Sequence, residues 1–145
     1  MSARRKAREL TLKALYAFDI SGAEAEQVSN DIILPSEIKP DARKFSESLF
    51  FKVVLNVKEI DRMIRDSVKS WDFSRIAVIE KNILRLGICE ILYFDDIPPA
   101  ISIDEAIELA KKYGDKDSKN FINAVLDSIL KDSENKKKQE KQKEN

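Results

Sequence analysis

The chain has 145 residues, the usual size of one domain with a single core, and its 26 lysines and arginines balance its 26 aspartates and glutamates. It has no histidine, which removes the commonest general base and metal ligand, and its three isolated glycines exclude a glycine-rich phosphate loop. One cysteine, Cys89, excludes an intrachain disulfide, and no stretch is apolar enough for a membrane span, so we expect a cytoplasmic protein without enzymatic activity, metal or other cofactor.

The first predicted helix begins with a cluster of cations and ends at Gly22. The cluster consists of Arg4, Arg5, Lys6 and Arg8. Each cation at a helix N-terminus costs about 0.3 to 1 kcal/mol relative to an acid, and the rest of the chain carries a net charge of about −4. A solvated terminus is one explanation, but three of the four cations are arginine, which suits forked phosphate contacts. RNA is therefore the sharper hypothesis for what this cluster binds.

The next part of the chain predicts two more helices. A weaker helix covers residues 23–33, and Pro35 and Pro40 bracket the following loop. Residues 41–70 contain neither proline nor glycine, so one helix of about eight turns is predicted there. Its apolar stripe consists of Phe45, Leu49, Val53, Val57, Ile60, Ile64 and Val68.

The second half of the chain predicts three helices separated by clear breaks. Residues 71–74, Trp-Asp-Phe-Ser, interrupt the pattern with two aromatic residues and two candidate N-caps. Residues 76–94 then form a helix that is apolar on more than one side, which predicts the centre of the core. After Pro98 and Pro99, residues 102–105 match a capping box.

The last predicted helix starts with Asp117 or Ser118 as its cap, after Gly114 has closed the preceding helix. No apolar residue follows Lys131, so residues 132–145 are predicted to be a disordered, charged tail. The predicted fold is thus all-α, with one helical domain over residues 1–131.

Three further side chains are ambiguous from periodicity alone. Phe121 can be a stacking platform for a base, as single-stranded RNA recognition commonly requires, or an ordinary core residue next to Val125. Tyr16 and Glu80 can likewise be surface residues of their helices with no partner. The acidic residues around Asp117 do not match a calcium loop, so no metal ligand is assigned.

Taken together, the chain resembles the family of transcription antitermination factors called NusB. Several segments carry the resemblance in the right order and spacing: Ala3-Arg4-Arg5-Lys6-Ala7-Arg8-Glu9, Ala14-Leu15-Tyr16, Glu80, Ile83-Leu84-Arg85-Leu86, Asp104-Glu105-Ala106-Ile107-Glu108-Leu109-Ala110-Lys111-Lys112-Tyr113-Gly114 and Phe121-Ile122-Asn123-Ala124-Val125-Leu126. It implies two small helical bundles of about six to seven helices packed into one domain. It also implies a non-enzymatic factor that binds the single-stranded boxA element of ribosomal RNA transcripts together with NusE, a small-subunit ribosomal protein, within an RNA polymerase antitermination complex.

The resemblance also implies roles for individual residues. The RNA-binding set is Arg4, Arg5, Lys6, Arg8, Lys119 and Phe121. The set at the NusE surface is Tyr16, Glu80 and Asp117, of which the last is close to both partners. Asn120 stands where the family often has a lysine before the phenylalanine, and Lys119 is the adjacent cation.

Two alternatives remain open at this point. The same helical domain resembles the N-terminal part of certain ribosomal RNA cytosine methyltransferases, although this chain shows no glycine-rich cofactor loop and ends in a lysine-rich tail. A self-associating helical scaffold is the other alternative. The sequence also leaves open whether the free protein forms a homodimer.

Overall fold

The computed structural model describes residues 2–69 and 72–144, and all regular structure in these ranges is helical. The α-helices are α1 (Ala3–Ser21), α2 (Ala25–Val28), α3 (Pro40–Leu55), α4 (Val57–Ser67), α5 (Val78–Tyr93), α6 (Pro99–Tyr113) and α7 (Ser118–Glu144). A π-helix, Ser29–Ile33, continues α2, and a 3₁₀ turn, Phe73–Arg75, precedes α5. The all-α prediction is confirmed. Trp71, predicted to interrupt the helical pattern, lies outside the described residues.

The helices form two bundles around one continuous core. The first bundle contains α1, α2, the π-helix and α3, and the second contains α4, α5, α6 and α7. Helix α5 joins them, because it contacts α1 and α3 as well as its own bundle, and every residue from 82 to 91 is buried. A Cβ atom on Gly87 would lie 3.0 Å from Leu126 Cδ1, which shows how closely α5 and α7 approach. The prediction that this helix forms the centre of the core is confirmed.

Helix α1 has the ends that its sequence predicts. The Ser2 hydroxyl accepts a hydrogen bond of 3.1 Å from the Arg5 backbone N–H and caps the first turn. Gly22 ends the helix with φ of 68°, a left-handed conformation that glycine adopts at little cost. The first turn contains no acidic residue, so the basic cluster lies against the positive end of the helix dipole, as the sequence indicates.

The prediction of a single helix over residues 41–70 is wrong. The backbone leaves the α-helical conformation at Asn56, with φ of −110° and ψ of 14°, and separates α3 from α4. The Asn56 side-chain amide donates to the Lys52 carbonyl at 2.8 Å, a local bond that competes with the helical ladder. Next to the break, Leu55 is 79 % exposed. Within the predicted stripe, Val57 is half-buried and the other six residues are buried.

The predicted capping box at residues 102–105 is also wrong. Helix α6 starts four residues earlier, because Pro99 occupies its first position with a φ that suits a helix. Ser102 is therefore inside the helix and buried, and its hydroxyl donates to Glu90 Oε1 at 3.0 Å. Glu105 binds Arg5 rather than the backbone.

The end of the chain differs from the predicted disordered tail, since α7 continues as a helix to Glu144. Residues 132–144 contain no proline or glycine and are rich in lysine, glutamate and glutamine, which have high helix propensity. The last side chains that pack on the core are those of Ile129 and Leu130. None of the described helices combines the length and the hydropathy that crossing a bilayer requires.

Candidate nucleic-acid interface

Arg5 is held at the surface by a carboxylate from another helix. Its Nε and Nη2 atoms donate to the two carboxylate oxygens of Glu105 on α6, each at 3.0 Å. The Arg5 side chain remains 41 % exposed, whereas that of Glu105 is 15 % exposed. The hydrogen bonds and charge of Glu105 raise the pKa of Arg5, so the guanidinium stays charged. Since Nη1 takes no part in this pair, Arg5 presents one donor edge to solvent.

Arg8 differs from the other cations of the predicted phosphate-binding cluster, because it is buried. Its Nε and Nη2 atoms donate to the two carboxylate oxygens of Glu90, both at 2.8 Å, and both side chains are buried. Ser102 adds a third hydrogen bond to the same carboxylate. A buried guanidinium with a bidentate partner cannot contact a phosphate without unpacking α1 from α5. Arg8 therefore stabilises the fold, and the charge alone did not distinguish it from Arg5.

The other two cations of the cluster lie outside the core. The Arg4 guanidinium lies over the Phe45 ring at 4.4 Å from its centroid and makes a long ion pair of 3.9 Å with Asp96. Lys6 is exposed, with no ion pair to another described residue. Both cations are exposed to solvent, and their binding to RNA stays a prediction.

The next turn of α1 continues the charged surface toward α6. Glu9 accepts a hydrogen bond of 2.8 Å from Lys112 Nζ, which raises the pKa of Lys112. These two side chains line an open hollow of about 250 Å³ together with Arg5, Glu105, Glu108, Leu109 and Lys111. Three carboxylates line the hollow, so acidic side chains lie beside the predicted phosphate site at Arg5. The local sequence around Arg5 does not indicate the two that come from α6.

Tyr16 lies farther along α1, beside a smaller apolar hollow. Its side chain is 41 % exposed, and the hollow of about 220 Å³ is also lined by Leu12, Lys13, Ile79 and Tyr113. The Tyr113 ring meets the Lys112 ammonium at 5.5 Å, which connects this hollow to the charged one. Tyr16 thus lies on a mixed aromatic and apolar surface of the kind that protein interfaces use.

A groove of about 510 Å³ lies between the start of α5 and the start of α7. One wall comes from the α5 side and contains Arg75, Ile76, Ala77 and Glu80, and the other comes from the α7 side and contains Asp115, Asp117, Ser118 and Phe121. The three predicted residues Glu80, Asp117 and Phe121 therefore share one groove. The half-buried Phe121 ring packs partly against the core, so the two explanations for it, core residue and binding surface, are compatible.

Hydrogen bonds fix the walls of this groove. The Ser118 hydroxyl contacts Glu80 Oε1 at 3.0 Å and accepts from the Asp115 backbone N–H at 3.0 Å. Gly114 allows this arrangement, because a Cβ atom there would lie 2.6 Å from Ser118 Oγ. Gly114 closes α6 as predicted, but in an extended conformation rather than the left-handed one that is usual for a C-cap. The start of α7 is thus positioned on α5 by side chains that are far apart in the sequence.

Five of the predicted residues, Arg5, Tyr16, Glu80, Asp117 and Phe121, consequently line neighbouring parts of one surface. The charged hollow contains Lys112, and the hollow beside Tyr16 contains Tyr113, the next residue of α6. The hollow beside Tyr16 also contains Ile79, which precedes Glu80 of the groove on α5. Lys119 is exposed in the first turn of α7, near Phe121. Apart from Arg8, each residue predicted to bind RNA or a protein partner has exposed or partly exposed surface.

Two residues of this face were missed by sequence reasoning. The local pattern predicts that Glu105 is part of a capping box. It binds Arg5 instead, which lies 100 positions away in the sequence, and no local pattern indicates such a pair. Arg75 follows the segment 71–74 and has no role among the predicted site residues. A cation beside a predicted turn is the sequence feature that could have indicated a binding residue there. Within the described ranges, no group of acidic, cysteine or histidine side chains could hold a metal ion.

Comparison with known proteins decides the family. The pattern of the NusB family matches residues 5–131. The chain is 43 % identical over 135 residues to the transcription antitermination protein NusB of a Nitratiruptor species, covering 93 % of this chain and 96 % of that protein. The chain belongs to the NusB family. The NusB protein of Salinibacter ruber is 40 % identical, with 91 % of this chain and 83 % of that protein covered.

Solved NusB structures have the same fold. NusB of T. maritima superimposes with a TM-score of 0.83 at 33 % identity, over 90 % of this chain and 92 % of that chain. A second neighbour is a crystal structure of the antitermination factors NusB and NusE in complex with double-stranded RNA, with a TM-score of 0.81, 29 % identity, and coverage of 90 % and 98 %. The relatives of this chain are thus transcription antitermination factors, as the resemblance implies.

Proposed function

We propose that this NusB-family protein binds the boxA element of ribosomal RNA transcripts as single-stranded RNA, jointly with NusE, and so acts in the RNA polymerase antitermination complex. The observation that supports this most directly is the shared groove of Glu80, Asp117 and Phe121, which continues toward the cations of α1. A NusB relative has been crystallised with NusE and RNA, which adds support from outside this chain.

The RNA is expected to use both ends of this face. Arg4, Arg5 and Lys6 supply phosphate contacts, and Lys119 supplies one more near the groove. Phe121 offers an aromatic surface to an unstacked base, which is how proteins commonly bind single-stranded RNA. Arg8 is left out of this set, because its ion pair with Glu90 occupies it within the core.

NusE is expected to cover the middle of the face, around Tyr16. The hollow beside Tyr16 is largely apolar, and the neighbouring Ile20 is 62 % exposed one turn farther along α1. A protein partner would bury these side chains, whereas RNA would gain little from them. Glu80 and Asp117 line the groove together with Phe121, and Glu80 follows Ile79 of this hollow, so they are proposed to be near both partners.

One titration tests the main proposal. A boxA oligonucleotide, a scrambled RNA of the same composition and a boxA duplex are each titrated with the protein at several salt concentrations, with and without NusE. We expect the single-stranded boxA RNA to bind most tightly and NusE to strengthen it. Equal binding of the scrambled RNA would contradict boxA recognition, and tighter binding of the duplex would contradict the single-stranded form.

Variants assign the binding to the proposed residues. Arg5→Ala should reduce the slope of log K against log salt by about 0.7, the value for one lost single-strand phosphate contact. Lys58→Ala is the matched control, because Lys58 is an exposed cation at the start of α4, outside the proposed face. If both variants keep the wild-type slope, Arg5 does not contact a phosphate.

A self-associating scaffold would give a different result. Sedimentation of the free chain would then show a stable dimer whose formation is insensitive to substitutions of Arg5 or Phe121, and the chain would not distinguish boxA from scrambled RNA. Methyl transfer to RNA by the isolated chain would favour the methyltransferase alternative instead.

A further inference from the structure

We propose that Arg75 binds a backbone phosphate of the RNA on the α5 side of the groove, so that the RNA crosses Phe121 and continues onto a second basic surface formed by Arg65, Arg75 and Lys81. This inference rests on the proposed RNA-binding function and extends its contact surface. None of the three cations belongs to the predicted RNA-binding set.

Arg75 has the exposure and the freedom that a phosphate contact needs. It is exposed and is the one cation among the described residues that line the groove. Three carboxylates line the same groove, those of Glu80, Asp115 and Asp117. Even so, the Arg75 side chain makes no hydrogen bond or ion pair with another described residue. Its five donors are therefore available to an incoming anion, in contrast to those of Arg8.

The backbone that carries Arg75 is fixed in place. The Asp72 carboxylate accepts from the Ser74 backbone N–H at 2.9 Å, and the Asp72 carbonyl accepts from the Arg75 N–H at 2.9 Å. Hydrogen bonds from Ser74 lower the pKa of Asp72, which keeps this carboxylate ionised as a cap. The next residue, Ile76, is 6 % exposed and anchors the turn in the core. The base of the Arg75 side chain is thus held, while its guanidinium is free to move.

Two more cations extend this surface away from the groove. The Phe73 ring lies between the Arg65 guanidinium, at 4.4 Å from the ring centroid, and the Lys81 ammonium, at 4.5 Å. The cation–π contacts hold both charges beside the turn that bears Arg75. A cation held by an aromatic ring keeps its charge and its remaining donors, so the surface can still attract phosphate.

A nucleotide stacked in the groove places phosphates on both sides of its base, where cations can bind them. A base bound against Phe121 is linked to one phosphate on its 5′ side and one on its 3′ side. The three carboxylates repel phosphate from the groove itself, although they can accept hydrogen bonds from the amino groups of a base. The phosphates are therefore expected outside the carboxylate-lined part of the groove, with Arg75 as the cation on the α5 side. Lys119, exposed in the first turn of α7, is the cation nearest to Phe121 in the sequence.

Binding measurements with matched variants test this inference. Arg75→Gln removes the cation and leaves a shorter, neutral polar side chain. Arg62→Gln is the control, since Arg62 is an exposed arginine of α4 that pairs with Glu59 and Asp66 beside the far part of α7. We expect Arg75→Gln to bind single-stranded boxA RNA about fivefold to tenfold more weakly at about 50 mM salt, with the salt slope reduced by about 0.7, and Arg62→Gln to match the wild type.

Shortened RNAs locate the contact. Removing three nucleotides from one end of the RNA should abolish the difference between the wild type and Arg75→Gln, whereas removing three from the other end should preserve it. A difference that survives both truncations would overturn the inference, because Arg75 would then not contact a phosphate beyond the stacked base. Thermal unfolding of each variant, with unchanged midpoints, confirms that the comparison is made between folded proteins.

The Arg5→Ala variant separates the two proposals. If Arg5→Ala weakens binding and Arg75→Gln matches the wild type with all RNAs, the second basic surface is excluded and the proposed function stands. If neither substitution weakens binding, and Phe121→Leu does not either, the proposed RNA-binding face itself is wrong.

Discussion

Arg5 and Arg8 lie about one turn apart on α1, and each donates two hydrogen bonds to one carboxylate. Their surroundings differ, because the side chains of Arg8 and Glu90 are 4 % and 0 % exposed, whereas those of Arg5 and Glu105 are 41 % and 15 % exposed. An exposed pair exchanges partners at low cost, whereas a buried pair does not. Burial therefore distinguishes two similar arginines, since only the exposed one can exchange its carboxylate partner for another anion at low cost.

Glu105→Gln should strengthen RNA binding. The carboxylate of Glu105 occupies two donors of Arg5 and adds a negative charge beside the phosphate path. The amide keeps the shape but loses the charge, so we expect boxA RNA to bind about threefold to tenfold more tightly at low salt, measured by fluorescence anisotropy.

Glu108→Gln is the matched control for that variant. Glu108 lines the same hollow but contacts Lys111 rather than Arg5. It should therefore give a smaller gain that reflects charge alone. An equal gain from both variants would show that the Arg5 pair has no specific effect, and a loss of affinity in Glu105→Gln would show that Glu105 positions Arg5 for the RNA.

Arg8→Met should destabilise the protein without directly affecting RNA contacts. It leaves the Glu90 carboxylate buried with only Ser102 as a partner, and removing one member of a buried ion pair costs about 3 to 5 kcal/mol. Urea unfolding measures the loss. Adding Glu90→Leu to Arg8→Met should recover part of it. If Arg8→Met unfolds like the wild type but reduces the salt slope of RNA binding, Arg8 belongs to the phosphate site after all.

Cys89 should be unreactive in the folded protein. Burial raises the pKa of its thiol to about 12, so the thiolate is scarce and shielded at pH 8. The folded state favours the protonated thiol, and this contribution to stability is fully present below the pKa that the thiol has in the unfolded chain. It is lost as the pH rises toward 12. Iodoacetamide at pH 8 should modify the native protein far more slowly than the protein in urea, and equal rates would contradict the burial.

At the scale of whole elements, local signals set some boundaries and packing set others. Gly22 ends α1 and Pro99 starts α6, and both act through backbone conformations that the residue itself prefers. The break at Asn56 and the inward orientation of the Ser102 side chain depend on where neighbouring helices lie. The sequence around Asn56 fits a continuous helix equally well, and the sequence around Ser102 fits a capping box equally well.

Truncation after Lys131 should leave the fold intact. Residues 132–144 continue α7, but the last side chains packed on the core are those of Ile129 and Leu130. We expect the melting temperature to change by less than about 2 °C, because surface changes usually contribute within about 0.5 kcal/mol. Truncation after Asp127 is the contrasting variant, since it removes both core residues, and it should lower the melting temperature strongly.

A large loss of stability in the shorter truncation would contradict this expectation. It would mean that the ionic contacts of the extension with α4, where Lys136 lies near Arg62 and Asp66, hold the end of the molecule together. Amide hydrogen exchange gives an independent measure, because a helix without tertiary contacts should exchange quickly beyond Lys131.

At the scale of the whole molecule, Arg85 connects the two bundles. Its guanidinium donates to both oxygens of Asp61 on α4 at 2.8 Å and to Asp19 on α1 at 2.7 Å. Burial acts to lower the pKa of Arg85, but hydrogen bonds and charge from Asp61 and Asp19 outweigh it, so the group stays charged. This network joins elements that lie far apart in sequence.

Arg85→Met should therefore weaken the packing between the bundles. Asp61 and Asp19 would both lose the cation that pairs with them, and we expect the free energy of unfolding to fall by about 3 to 5 kcal/mol. Chemical denaturation followed by circular dichroism measures it. Arg62→Met, at an exposed pair, should have little effect, and a similar loss in both variants would contradict the special role of the buried network.

The all-helical fold, the buried segment around Cys89, and the basic start and Phe121 as candidate binding features are all predictable from the sequence. These follow from hydrophobic periodicity and from local residue preferences, which a short window of sequence contains. Only the tertiary structure decided that Arg8 is a core residue, that Glu105 holds Arg5, and that Phe121 shares a groove with Glu80 and Arg75. The physical reason is that burial and pairing of a charge depend on helices up to 100 residues away, and local sequence carries no information about that proximity.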